Sequence, residues 1–377
     1  MLIPFNKPYF IGTETRYIEE AVRSGKLSGD GIFTRRCEEW LQHQLGVPRV
    51  LLTTSGTDAL ELAALLLDLQ PGDEVLLPSF TFSSTATAFV LRGAKLIFVD
   101  SSADGPAFDT AQLETLVTPR TRAIVPVHYA GLACDMDAVR AVAERHHLAV
   151  VEDAAQALGG GFRGRPLGTL GALGAFSFHE TKNVTAGGEG GMLVINEPQL
   201  IARAEILREK GTNRAAFFRG EVAKYSWVDV GSSFLPAEIN AAFLWAQLEE
   251  LEIIQQRRQA IWARYFAELQ PLAQLGVRLP FVPDYTTQNG HLFYLVCRSL
   301  AERTALIAEL KQQGITAIFH YQPLHSSPYY APRHDGRLLP WAEHYADCLV
   351  RLPLYTELEE SQQQCIVRAV LRFYQIV

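Results

Sequence analysis

This 377-residue chain lacks the signatures of a membrane anchor, a zinc site and a disulfide frame. Its five cysteines, Cys37, Cys134, Cys297, Cys348 and Cys365, are odd in number, scattered and nowhere spaced C-x-x-C, a pattern that fits reduced thiols. No uninterrupted apolar run approaches the roughly 18 residues of a spanning helix. The stretch from Met1 to Pro8 has no apolar core behind a basic head, so a cytoplasmic location is expected. Nor is there an excess of positive charge: 34 Lys and Arg against 41 Asp and Glu leave a net charge of −7. That balance argues against general binding to nucleic acid or anionic membrane, and any phosphate-bearing ligand must then be met by a local site. Internal repeats and low-complexity tracts are also missing. With 48% apolar and 20% charged residues, disorder is excluded. At about 100–200 residues per domain, the length predicts two or three domains.

What is present is alternation. Short β-branched runs at Val50–Thr53, Val75–Leu77, Lys95–Val99, Ala123–Val127, Leu148–Val151, Ala175–Phe178 and Met192–Ile195 read as strands. Helical patterns lie between them at Asp58–Leu67, Phe82–Leu91, Asp135–Arg145 and Leu200–Glu209. This predicts an α/β fold with a mostly parallel, covered sheet, whose chemistry belongs beyond the carboxyl ends of the strands. Pro236–Leu269 carries an apolar stripe that predicts one connecting helix. Beyond it, strands at Leu292–Cys297 and Ile315–Phe319, a helix at Ala301–Gln312 and a closing helix near Glu359–Phe373 predict a smaller α+β domain. The expected boundary puts residues 1–245 in the large domain and 246–377 in the connecting helix and small domain.

Three segments carry chemistry. In Thr53-Thr54-Ser55-Gly56-Thr57-Asp58, a strand ends in small hydroxyl residues and a helix begins. Backbone N–H groups there could hold a phosphate, or Ser55 could simply cap the helix. Leu148–Val151 runs into Glu152-Asp153, which places an acid at a strand end; Asp153 could pair with a cation, a metal or a protonated ring nitrogen, or cap the next helix. Lys182, in Phe178-His179-Glu180-Thr181-Lys182-Asn183, sits in a turn beside Gly187, Gly188, Gly190 and Gly191. A buried lysine has a lowered pKa and becomes a Schiff-base nucleophile. Position 183 is Asn, so His179-Glu180 does not complete H-E-x-x-H and no metal is expected. A phosphate cradle, an acid for a ring nitrogen and a lysine for an aldehyde together ask for pyridoxal phosphate (PLP). Phe82, in Pro78-Ser79-Phe80-Thr81-Phe82, could stack on its ring or belong to the core.

These segments, with Gly25–Gly31, Glu152–Gln156, Ser177–Asn183, Gly188–Gly191, His320–His325 and Arg351–Leu354, resemble the DegT/DnrJ/EryC1/StrS family of PLP-dependent nucleotide-sugar aminotransferases over essentially the whole chain. The resemblance implies the type I aminotransferase fold. It assigns Lys182 as the lysine that bonds the cofactor, Asp153 as the partner of its ring nitrogen and Phe82 as the aromatic over the ring. It places the phosphate at Ser55, Gly56, Thr57 and Ser177, and Gln156 near the ring oxygen. The family usually sends an Asn from a neighbouring subunit to the phosphate; here Ser233 stands in its place and Leu235 replaces the following Arg.

The implied reaction takes an amino group from L-glutamate, leaves pyridoxamine phosphate, and passes the amine to a nucleotide-linked 4-keto-6-deoxy sugar, dTDP-4-keto-6-deoxyglucose. Gly29, Asp30, His179, His320, Tyr321 and His325 are implied substrate contacts. Arg208, Lys210, Arg214, Arg219 and Lys224 cluster with Phe217 and Phe218 and could meet the diphosphate, or form a solvated helix end. A 3-keto sugar substrate and a non-catalytic sensor on the same fold are the alternatives, while Lys182 argues against a family dehydratase with histidine there. A homodimer or dimer of dimers with shared sites is expected, with no nucleic-acid or membrane partner.

Overall fold

The computed structural model describes residues 2–376. Two helices, α1 (Glu14–Arg23) and α2 (Ile32–Leu45), precede the first strand. The α/β alternation then runs β1 (Arg49–Thr53), α3 (Gly56–Leu66), β2 (Glu74–Pro78), α4 (Ser83–Val90), β3 (Lys95–Val99), α5 (Leu113–Leu116), β4 (Thr121–Ile124), α6 (Met136–His146) and β5 (Ala149–Asp153). A small pair, β6 (Gly161–Phe162) and β7 (Arg165–Pro166), leads to β8 (Leu173–Ser177) and β9 (Gly191–Ile195). After them come α7 (Ile201–Arg208), α8 (Arg214–Phe218), α9 (Glu238–Glu249) and α10 (Leu251–Glu268). The chain closes with β10 (Thr286–Thr287), β11 (Phe293–Val296), α11 (Leu300–Gln312), β12 (Ile318–Phe319), α12 (Pro340–Cys348), β13 (Leu349–Leu352) and α13 (Glu360–Phe373).

The large sheet has the order β1-β9-β8-β5-β4-β2-β3. Its β8-β5-β4-β2-β3 portion is parallel, and β9 alone runs against its neighbours. Both faces are covered. Leu51, Leu77, Val151 and Leu193 enter one apolar core and Val50, Leu52, Leu76, Val150 and Val194 the other, which is why these strands read as continuous apolar runs rather than as alternating ones. A second sheet, β11-β13-β12, is antiparallel and has its own core of Phe293, Leu295, Leu306, Val350 and Ile366. Ile3 belongs to that core and bridges Ile315, so the start of the chain is built into the structure around the second sheet.

One expectation is corrected, and two parts of the chain hold elements that the sequence reading did not predict. The connecting helix is two helices: Glu250, at φ −105° and ψ 11°, leaves helical geometry between α9 and α10. There the chain turns from packing on α1 and α2 to packing on α13. Between Phe319 and Glu359, where no regular element is expected, lie α12 and β13, and β13 is the central strand of the second sheet. Its short Leu-Val-Arg-Leu run, interrupted by a charge, falls below what periodicity detects. The N-terminal α1 and α2 were likewise not expected.

One buried carboxylate fixes the start of α2. Glu238 accepts the backbone N–H groups of Gly31 (2.9 Å), Phe33 (2.9 Å) and Thr34 (3.1 Å) and also the Thr34 hydroxyl. It acts as a cap supplied from α9, satisfying donors that helix geometry leaves free. Glu238→Ala is expected to lower the unfolding free energy by about 3 kcal/mol, since three buried backbone donors and the Thr34 hydroxyl lose their acceptor at once; chemical denaturation of variant and wild type measures it.

Candidate active site

The ends of β1, β5 and β8 and the start of β9 meet at one edge of the large sheet. Gly191 opens β9 opposite Thr53 and Ser177, and a Cβ there would collide with the backbone at Ser55–Gly56. A Cβ on Gly56 would lie 2.8 Å from that of Ser177. Glycine at both positions lets the start of α3 close onto β8, gathering Ser55, Gly56, Thr57 and Ser177. Ser55 Oγ accepts Asp58 N–H at 3.0 Å and is thus the helix cap. Thr57 Oγ1 lies 2.7 Å from Ser84 Oγ of α4, so the N-termini of two helices and their hydroxyls face a common space, as an anion site requires.

Asp153 ends β5 and is buried. Its N–H donates to Pro126 O (2.9 Å) and its carbonyl accepts from His128 N–H (3.1 Å). Its carboxylate accepts the Thr85 hydroxyl (2.6 Å) and Ala155 N–H (3.1 Å). Thr81 Oγ1 lies 2.9 Å from Thr85 Oγ1; since the Thr85 hydroxyl donates to Asp153, it accepts from Thr81. On the other face of β5, buried Glu152 takes three backbone N–H groups, from Gly168 (2.7 Å), Leu170 (2.6 Å) and Gly171 (2.6 Å), and His128 Nε2 lies 2.8 Å away. Thr85, Glu152 and His128 therefore brace the acid. Sequence reasoning had no pattern for them, although the Thr81–Thr85 spacing is one helical turn.

Lys182 lies in the turn joining β8 to β9, tied by Lys182 N–H to His179 O (2.9 Å) and Glu180 N–H to Gly188 O (2.9 Å). The next residue, Asn183, is buried and anchored to Gln255 (3.0 Å), Asn289 O (3.0 Å) and His291 Nδ1 (2.9 Å), which sets the direction in which the lysine leaves the turn. Among the described residues the amine enters no ion pair. Desolvation brings its pKa down from 10.5 to about 8; the positive charge of Arg351 adds to this, and the negative charges of Asp153 and Glu189 oppose it.

Phe82 is not core. It is 58% exposed at the cap of α4, with its ring 6.2 Å from Tyr321, while Phe80 takes the buried place. Gln156 Oε1 accepts Ala130 N–H (2.7 Å) and Nε2 donates to Tyr321 OH (3.0 Å). His320 Nδ1 lies 2.8 Å from Tyr129 OH. Phe82, Gln156, His320 and Tyr321 thus form one connected wall. His179 pairs with Thr181 (2.9 Å) beside the lysine turn.

The remaining candidates stand apart from that wall in their contacts. His325 is held between Ser79 Oγ (2.7 Å) and Glu343 (3.1 Å). Gly29 and Asp30 form a left-handed turn before α2, and Asp30 pairs with Arg208 (2.9 Å). The cationic segment is largely matched by acids: Arg208 also by Glu38 (2.6 Å), Arg214 by Glu209 (3.0 Å), and Arg219 by Glu205 (2.8 Å) and Glu221 (2.6 Å). Ser233 is exposed and bridges Glu209. Its neighbour Phe234 accepts Thr54 N–H at 2.9 Å, which brings this strand of chain against the turn before Ser55.

A free amine of lowered pKa, a braced carboxylate, an exposed aromatic ring and a two-helix anion site fit PLP in donor chemistry and position. They define a PLP-binding site, and the comparisons with known proteins make it that of a PLP-dependent aminotransferase. The chain belongs to the DegT/DnrJ/EryC1/StrS aminotransferase family, whose model matches residues 9–371. Among solved structures, S. venezuelae DesV is 33% identical with a TM-score of 0.90, over 100% of this chain and 99% of that one. TlmJ, an aminotransferase from Streptoalloteichus hindustanus, is 30% identical with a TM-score of 0.90 over 99% of each chain. Spr1654 from Streptococcus pneumoniae, solved in PMP and PLP forms, is 27% identical with a TM-score of 0.91 over 100% of each chain. When bound, PLP supplies an aldehyde that takes the amino group and a ring that withdraws electrons from the reacting carbon.

An amine with a pKa of about 8 is mostly protonated at pH 7 and mostly free at pH 9. In the cofactor-free protein, acetic anhydride labelling of Lys182, read by mass spectrometry, is expected to rise with a midpoint near pH 8. Asp153→Asn removes an anion that favours the protonated amine, so the midpoint is expected to move down.

Proposed function

We propose that this enzyme transfers the amino group of L-glutamate to a nucleotide-linked 4-keto-6-deoxy sugar, converting dTDP-4-keto-6-deoxyglucose to dTDP-4-amino-4,6-dideoxygalactose and 2-oxoglutarate. The observation that carries the reading is Lys182, whose amine enters no ion pair among the described residues and whose pKa is lowered to about 8. Similarity to CalS13, a sugar aminotransferase from Micromonospora echinospora (28% identity, TM-score 0.89, 98% of this chain and 99% of that one), supports a sugar substrate. For the particular sugar, Val125–Gly131, Glu209–Arg214, Phe217–Gly220 and Gly231–Ser233 resemble dTDP-4-amino-4,6-dideoxygalactose transaminase, an enzyme of enterobacterial common antigen assembly. That resemblance includes Ser233 where the wider family has Asn.

In this reading Lys182 Nζ bonds the cofactor and, once displaced, carries the proton to and from the substrate carbon. Asp153 holds the ring nitrogen, Phe82 covers the ring and Gln156 meets the ring oxygen. The start of α3 and Ser177 hold the phosphate. Tyr321 and His320 face the sugar, with His179 at the lysine turn. Arg214 and Arg219 reach the diphosphate by exchanging their present carboxylate partners for it, and Gly29, Asp30 and His325 line outer parts of the site.

We read the chain as a cytoplasmic homodimer or dimer of dimers made of two domains, residues 1–245 and 246–377. The exposed rings of Phe218 and Trp227, the latter 79% exposed, support a covering partner near Ser233. The separate core of the second sheet supports the domain division.

Lys182→Ala is expected to reduce turnover more than about 10³-fold and to prevent borohydride from fixing the cofactor to the protein; near-normal turnover would sink the assignment. The substrate is tested by the visible absorption of the loaded enzyme. dTDP-4-amino-4,6-dideoxygalactose is expected to discharge the band, while its 3-amino isomer and the UDP analogue leave it unchanged.

A further inference from the structure

One pocket holds no residue of the lysine turn. It measures about 180 Å³ and lies among the loop after β3, the turn before α6, the segment before β10 and strand β11. Asp104, Asp109 and Asp135 give it three carboxylates, while Tyr129, Phe281, Tyr285 and Tyr294 give it aromatic surface. No lysine, arginine or histidine lines it among the described residues.

The carboxylates meet neutral donors only. Asp109 accepts Ala111 N–H (3.2 Å) and the Gln112 amide (2.8 Å), and Asp135 accepts Ala138 N–H (3.1 Å). Among the described residues the Asp104 carboxylate accepts no hydrogen bond, and none of the three enters an ion pair. The neighbouring cations are engaged elsewhere. Arg163 pairs with Asp137 at 2.9 Å, and Arg278 donates to Ala103 O at 2.6 Å while lying over the rings of Trp341 and Tyr345. Tyr285 feels the resulting field: burial first, then Asp135 and Asp284 among its neighbours, push its phenol up to about 12 against the charge of Arg163. A metal is not the matching cation, because among the described residues no three His, Cys, Asp or Glu side chains are placed to ligate one.

Tyr294 is an independent sign of an occupant. It is only 2% exposed, and its hydroxyl hydrogen has no acceptor among the described residues. The main chain at Phe281 acts on the phenol oxygen in the sense of a donor, which leaves the O–H itself unmatched. A Cβ on Gly105, another residue of the lining, would lie 3.7 Å from that oxygen, so the hydroxyl stands at the pocket wall. A buried O–H without an acceptor is costly unless a ligand or water supplies one. Aromatic faces attract an organic cation through their quadrupole, and unmatched carboxylates add a Coulombic pull.

We propose that this pocket binds a small organic cation of the amino-alcohol class, an alkylammonium with an oxygen acceptor a few bonds away. The ammonium rests against Phe281 and Tyr285 within the field of the three aspartates, and its oxygen receives the Tyr294 hydroxyl. Tyr129 joins this site to the active site. Its ring lies 6.0 Å from that of Tyr294 and its hydroxyl 2.8 Å from His320 Nδ1, so an occupant touches a residue that also holds the wall around Tyr321.

The test is calorimetric titration of the PLP-loaded enzyme with choline, with tetramethylammonium, and with 3,3-dimethyl-1-butanol, which has the shape of choline but carbon in place of the charged nitrogen. Choline is expected to bind at least about 10-fold more tightly than the neutral alcohol. Phe281→Ala is expected to weaken choline about 3- to 30-fold and Asp104→Asn about 5-fold. Both residues are exposed, so these variants fold, and unchanged circular dichroism verifies it. Tyr294→Phe is expected to weaken choline about 3- to 10-fold and to leave tetramethylammonium, which has no oxygen, unchanged. A wild type that does not bind choline, equal affinity for choline and the neutral alcohol, or choline binding that Phe281→Ala and Asp104→Asn both leave unaltered overturns the proposal. None of these results bears on transamination at Lys182.

Discussion

Everything at this sheet edge depends on keeping an amine and a carboxylate near each other without letting them neutralise one another in a closed salt bridge. The carboxylate of Asp153 is engaged by Thr85 and by Ala155 N–H, and the turn carrying Lys182 is held through Asn183 rather than through the lysine itself. The amine is left in a desolvated place with opposing charges on either side, and its pKa settles near 8. A direct buried bridge would have pushed that pKa the other way and removed the nucleophile. Much of the surrounding architecture serves this separation. Glu152 is spent on three backbone N–H groups and His128 below Asp153, which fixes the acid's main chain.

The parts legible in the sequence were those that obey a local rule. Strands buried on both faces appear as continuous apolar runs, so the sheet could be placed from residues 50 to 195 with boundaries off by a residue or two in most strands. Lys182 among glycines stood out because its residue type conflicts with a plain structural explanation, whereas Asp153 after an apolar run could equally cap a helix and gained its meaning only beside Lys182 and the phosphate turn. Long-range partners left no such trace. Nothing local in Thr85 announces a bond to a residue in another strand, and Glu238 caps a helix about two hundred positions away in the chain. The cationic segment shows the converse limit. Its arginines could meet a diphosphate or form a solvated helix end, and composition does not reveal that the fold gives them Glu205, Glu209, Glu221 and Glu38 as partners. Composition counts charges and does not say which are already matched.

Arg351 and Arg208 make the same point in opposite senses. Both are arginines drawn inward from the surface, and a sequence pattern treats them alike. Arg208 is locked between two carboxylates and so acts as a strut joining α7 to α2 and the turn before it. Arg351 has a carbonyl, an aromatic face and an orphaned Nε. A desolvated charge without a counter-charge costs stability, so the two arginines differ in energetics as well as in partners.

The start of the chain then acquires a physical role. Ile3 is buried in the second core and bridges Ile315, Phe5 covers Arg351, Asn6 donates to Glu180 O at 3.3 Å in the lysine turn, and Lys7 pairs with Glu357 at 2.8 Å. These contacts fasten one short segment to the second sheet and to the lysine turn of the large sheet, on both sides of the crevice. Two bodies packed across a crevice would otherwise be free to shift against each other by small rotations, and a shift of about an ångström between a reacting atom and its catalytic group can cost on the order of 100-fold in rate. The strap limits that freedom between the second sheet and the turn that carries Lys182.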